Sequence, residues 1–106
     1  MRDVLLDITF AGEVIEWRGP APFYFVAVPE DEVGAVREAA RAASYGWGVV
    51  PVVASVRGTG FTTSLFPRDG GYLLPLKLKV RRETGLVFGD VAIIGMRVKM
   101  PDERNR

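Results

Sequence analysis

Residues 4–10, VLLDITF, alternate: Val4, Leu6, Ile8 and Phe10 point one way, while Asp3, Asp7 and Thr9 point the other. A side-chain period of two belongs to a strand with one buried face. Apolar or alternating runs of this kind recur along most of the chain, and only one segment carries a clear helical period, so the fold is mainly β. The first strand is expected to bend at Gly12 and to continue through Val14 to Trp17. RGPAP, residues 18–22, is a turn built from glycine and two prolines. FYFVAV, residues 23–28, is apolar throughout and reads as a strand buried on both faces.

Pro29 opens the one long helix. Glu30, Asp31 and Glu32 crowd its first turn, where the helix dipole favours negative charge, and Arg37 and Arg41 come later. Val33, Val36, Arg37 and Ala40 form its inward stripe, and Gly46 and Gly48 stop it. VVPVVASV (49–56), GTG (58–60) and FTTSLF (61–66) read as strand, tight turn and strand. PRDGG (67–71) is a second turn, Tyr72–Leu74 a short strand, and residues 90–100 a final one. Residues 1–100 form a single domain, and the polar, proline-led PDERNR (101–106) is expected to be a disordered tail.

Residues 75–84, PLKLKVRRET, fit two descriptions. Leu76, Leu78 and Val80 alternate with Lys77, Lys79 and Arg81, as in a strand. Pro75 suits a helix start, however, and Gly85 followed by Leu86 suits a helix end.

A chain of 106 residues supports one core, and none of its apolar stretches approaches the roughly 18 residues of a membrane span. Two aspartates within the first seven residues argue against a secretory signal. Cysteine is absent, which excludes disulfides and thiolate metal sites and makes a reducing cytoplasm the expected location. Histidine is absent too, removing the commonest metal ligand and the commonest general base at neutral pH. The net charge of +1 hides a split: residues 1–50 hold four basic and eight acidic residues, residues 51–106 ten and five. Such a split marks either a basic binding face or two halves that attract each other.

The stretch LPLKLKVRRETGLVFGDVAII (73–94) resembles the strand–helix–turn–strand unit of AbrB/MazE-type double-split β-barrels. FAGEV (10–14), GVVPVV (48–53), TSLFPRDGGYLLP (63–75) and the Gly89–Asp90 turn occur in an order similar to that of a small bacterial family of unknown function that shares the barrel. The resemblance implies a double-split barrel with swapped hairpin connections, a long helix packed outside it, and a short helix at about 76–84. It implies no activity. The DNA-binding relatives dimerise to complete a barrel, whereas this chain is long enough to hold both halves, so a monomer or weak dimer is expected.

No catalytic residue, metal site or cofactor is indicated. Ser55 and Ser64 have no histidine to activate them and no Ser-x-x-Lys spacing. Asp90 reads as a turn aspartate that accepts backbone N–H bonds. Three readings remain: two of binding and, third, an uncharacterised enzyme with a carboxylate or lysine base. In the first, a small organic molecule or protein segment is held in a cleft walled by Tyr45, Trp47, Phe66 and Tyr72, with Lys77 and Arg81 at its mouth. Trp47 has a structural alternative as a plug closing the barrel end under the long helix. In the second, Lys77, Lys79, Arg81 and Arg82 contact nucleic acid.

Overall fold

A computed structural model describes residues 4–43 and 48–100, so the polar tail and the Tyr45–Trp47 turn lie outside the described residues. The order of elements is β1 (Val4–Trp17), β2 (Phe23–Ala27), α1 (Glu30–Ala43), β3 (Val50–Val56), β4 (Thr59–Arg68), β5 (Gly71–Pro75), α2 (Leu78–Thr84) and β6 (Val91–Lys99). The six strands close a barrel in the order β1-β2-β5-β4-β3-β6, all neighbours antiparallel. One chain completes it, with every strand paired on both sides.

β1 serves two neighbours. Its residues 4–13 pair with β6 and residues 14–17 with β2. Gly12 sits just before the change of partner. A Cβ there would lie 2.5 Å from Val26 Cγ1 and 3.3 Å from the Ala27 oxygen, so only glycine lets β2 approach this closely.

The two tight hairpins have two-residue loops, Arg57–Gly58 and Asp69–Gly70. Both residues of each loop have positive φ, as a type I′ turn requires. The first turn is therefore not GTG at 58–60, because Thr59 and Gly60 already belong to β4. Pro51 lies one residue outside the β3–β6 ladder, which spans Val52–Ser55, so its missing N–H removes no bond between those strands.

α1 buries Val33, Val36, Ala39, Ala40 and Ala43, and these join the barrel interior in one apolar cluster. The helix touches β6, β1, β3 and β5, strands from opposite sides of the barrel. It therefore lies across an open end, not flat against the wall. Arg37 falls off the buried stripe. It is exposed, and its Nη2 donates to the Gly70 carbonyl at 2.9 Å, tying α1 to the β4–β5 loop.

Residues 75–84 are resolved in favour of the short helix, with a later start. Pro75 ends β5, Leu76 N–H donates to the Tyr24 carbonyl at 2.8 Å, and α2 begins at Leu78. Val80 and Thr84 are four apart and share the buried face. Gly85 ends the helix in the left-handed region (φ 72), its N–H donating to the Arg81 carbonyl at 2.8 Å. Thr84, the one polar residue buried among those described, satisfies its hydroxyl by donating to the Val80 carbonyl at 2.7 Å.

Inside, Val14, Val26, Leu65, Leu74, Ile94, Met96 and Val98 fill the barrel at 0–1% exposure. No described helix is long and apolar enough to cross a membrane.

Candidate functional site

Strand parity decides what reaches the outer surface. In β6, Ala92, Ile94, Met96 and Val98 point inward, which leaves Arg97 and Lys99 outside. In β4, Leu65 is inward, so Thr62 and Ser64 face out, opposite Val53 and Pro51 of β3. Lys77 follows Pro75 in extended conformation (φ −68, ψ 160), just ahead of α2.

These side chains line an outer groove of about 680 Å³. Lys77, Arg97 and Lys99 supply positive charge, Thr62 and Ser64 supply hydroxyls, and Pro51, Val53 and Pro75 supply apolar surface. Among the described residues no carboxylate lines the groove. The ion pairs within 4 Å among the described residues involve Arg18, Arg41, Arg57 and Arg68, and none of the groove cations. Asp7 stands opposite Arg97 in the β1–β6 register but is not within ion-pair distance. The arrangement is thus a shallow trough of positive charge and hydroxyl donors beside apolar surface, suited to an anion that also carries apolar bulk. Among the described residues no cluster of three acidic or other metal-ligating side chains occurs.

Of the six residues expected to form one cleft, the four that are described do not come together. Tyr45 and Trp47 lie outside the described residues. Tyr72 points inward beside Leu74 and is 9% exposed, part of the core and unable to wall an open cleft. Its neighbour Phe66 points the other way and meets Phe25 edge-on, ring centroids 5.4 Å apart. Lys77 joins the groove. Arg81 does not: its guanidinium lies 3.9 Å from the Tyr24 ring centroid and its Nε donates to the Leu76 carbonyl at 3.2 Å. Tyr24 in turn donates its hydroxyl to Glu16 at 3.0 Å. Of the basic segment, Lys77, Lys79 and Arg82 remain exposed, while Arg81 is half-buried.

Asp90 behaves as its turn requires. Its Oδ2 accepts the Val87 N–H at 3.0 Å, and Arg57 reaches it at 3.8 Å while also donating to the Thr84 carbonyl.

An aromatic surface went unnoticed in the sequence. Trp17 stands opposite Phe23, and Ile15 opposite Phe25, on the outer face of β1 and β2. Phe23 is 57% and Trp17 49% exposed, so β2 is covered on both faces only farther along, at Phe25 and Val26. The Arg68 guanidinium lies 4.2 Å from the Trp17 ring centroid. Pairing the ends of a hairpin around RGPAP would have placed Trp17 against Phe23. For Arg97 and Lys99, their alternation with Met96 and Val98 was the available signal.

No curated protein matches the chain. A family model, described as Domain of unknown function (DUF1905), matches residues 10–95, from the middle of β1 through most of β6. That span contains both helices, both tight hairpins and every groove residue except Arg97, Lys99 and Met100, and the chain belongs to this family.

Proposed function

We propose that the domain is a binding module that holds an organic anion in the groove between β3, β4 and β6. The observation that carries this reading is the convergence of Lys77, Arg97 and Lys99 on one trough with no carboxylate among its described lining residues. Unpaired cations in a concavity concentrate anions, and the hydroxyls of Thr62 and Ser64 add directional donors. Pro51, Val53 and Pro75 give an apolar body somewhere to lie. Binding is favoured over catalysis because the described groove residues offer no acid–base pair and the chain has neither histidine nor cysteine.

Phenyl phosphate and benzoate are suitable probes, each a charged head on a flat apolar ring. Titrated into isotopically labelled protein, they are expected to shift the amide signals of residues 62–64 and 97–99. Replacing Arg97 and Lys99 together by alanine should remove those shifts. Unmoved signals in the unaltered protein would refute the assignment.

A second reading, a nucleic-acid-binding module centred on α2, is supported by the exposure of Lys79 and Arg82 beside Lys77. Retention on heparin that falls with Lys79→Ala/Arg82→Ala, and not with Arg97→Ala/Lys99→Ala, would move the site from the groove to that helix.

A further inference from the structure

The groove does not end at β4. Ser64, on its edge, and Phe66 are successive outward positions of the same strand, and Pro75, another groove residue, stands opposite Phe25. Beyond Phe66 and Phe25 come Trp17 and Phe23. Their ring centroids lie 6.3 and 6.2 Å from that of Phe25, which they help to bury to 3% exposure. The four rings thus form a sheet-borne platform that abuts the cationic trough. Phe25 and Phe66 are its foundation, and Trp17 and Phe23 are the exposed members. A hollow of about 480 Å³ opens between these two rings and the loop Gly19–Ala21, within the size range of small-ligand sites.

Both faces of this surface have a chemistry. The trough offers three cations, two on the outer face of β6 and one just ahead of α2, and the platform offers aromatic faces backed by the planar Arg68 guanidinium over Trp17. Alternating backbone charge with flat π-faces is the chemistry of single-stranded nucleic acid: each base stacks on an aromatic ring whatever its identity, and the phosphates track the cations. A second copy of this chain fits the surface less well. A two-fold contact sets each patch against itself, and the hollow's described lining (Trp17, Gly19–Ala21 and Phe23) offers the adjoining cations no opposite charge.

We propose that the anion recognised by the groove is the backbone of single-stranded nucleic acid, whose bases stack on Trp17 and Phe23. This rests on the groove being an anion site, and extends it to a polymeric ligand read on two adjacent surfaces.

The test uses the full chain carrying Trp47→Phe, which leaves Trp17 as its only indole. Oligothymidylate and oligouridylate of about eight nucleotides match the length that small barrel folds cover; inorganic tripolyphosphate is the comparison anion. Either oligonucleotide is expected to quench Trp17 fluorescence and to bind at least about tenfold tighter than tripolyphosphate. Three phosphate contacts predict a log affinity falling with log salt at a slope of about −2. Phe23→Ser should weaken the oligonucleotides about tenfold and leave tripolyphosphate unchanged. Arg68→Ala, which keeps both rings, should weaken the oligonucleotides too. Arg97→Ala should weaken both ligands and reduce the slope by about 0.7. Ile93→Ser, equally exposed but paired with Ala11, well back along β1 from Trp17, should change neither.

Oligonucleotides that bind no tighter than tripolyphosphate, or that ignore Phe23→Ser, overturn the stacking inference while the groove survives as an anion site. Failure of every anion removes both. Binding of phosphatidylglycerol vesicles, or self-association, that Phe23→Ser abolishes in a protein without oligonucleotide affinity assigns the platform to a membrane or a second copy, and the proposal falls.

Discussion

Two regions of this barrel gather charge, and they use it in opposite ways. Where the β3–β4 loop, the end of α2 and the turn before β6 meet, Arg57 donates to the Thr84 carbonyl at 2.9 Å and reaches Asp90 at 3.8 Å, while Asp90 accepts the Val87 N–H. Arg57 and Asp90 each have protein partners there. In the groove, Lys77, Arg97 and Lys99 have no carboxylate within ion-pair distance among the described residues. The first region resembles a joint and the second a socket. Charge density does not distinguish them; the count of internal partners does. A residue whose bonds are already made contributes to folding, and one left facing a concavity is free to contribute to binding.

Substitutions sharpen or break this division. The largest effect is expected in the groove. Arg97→Ala/Lys99→Ala removes one half-exposed and one exposed charge contact, of about 1 kcal/mol each, so phenyl phosphate affinity measured by calorimetry should fall about 30-fold. Stability in urea should stay within about 0.5 kcal/mol of the unaltered protein. A matching loss of stability would make these cations structural and erase the contrast.

Asp90→Ala tests the other side. It leaves the Val87 N–H without its acceptor and Arg57 without its ion partner, which should cost about 1–2 kcal/mol of unfolding free energy and leave phenyl phosphate affinity unchanged. Somewhat smaller is Gly85→Ala. At φ 72 a Cβ meets the following carbonyl, so about 1 kcal/mol should be lost with no effect on ligand. An unchanged denaturation midpoint would mean that α2 is not held by that terminus.

How far the sequence foretold these regions depends on which physical signal each one carries. Strands, the long helix and the closed architecture were legible because burial imposes a period on Val4–Phe10 or Val33–Ala40, and because the ordered motifs resembled a barrel family. The joint was legible in part: a Gly-Asp turn announces its own hydrogen bond. Loop positions drifted by a residue or two, since Arg57–Gly58 and Gly58–Thr59–Gly60 look equally turn-like until pairing register chooses. The site was harder to see. Tyr72 and Phe66 are both aromatic and close in sequence, yet they point to opposite sides of the wall, and only parity counted from a known inward residue separates them. The groove draws Arg97 and Lys99 from one strand, Thr62 and Ser64 from another, and Lys77 from a third segment. No local pattern links positions that only barrel closure brings together.

Arg81 is where the division is most exposed, because it belongs by sequence to the same basic run as Lys77. Its guanidinium stacks at 3.9 Å on Tyr24 and its Nε donates to the Leu76 carbonyl, while Tyr24 holds Glu16. Those contacts bind α2 to β2 and the end of β1, which places Arg81 with the joint. Removing it in Arg81→Ala loses a partly exposed cation–π contact of about 0.5–1 kcal/mol; the Leu76 carbonyl can turn to water, and alanine slightly favours the helix, so the net cost should stay near the lower figure. A melting temperature lower by roughly 2–4 °C is expected, together with phenyl phosphate affinity equal to that of the unaltered protein. If melting is unmoved and affinity drops, the stacked conformation yields to ligand, Arg81 rejoins Lys77 at the groove, and partner counting ceases to separate binding residues from structural ones in this fold.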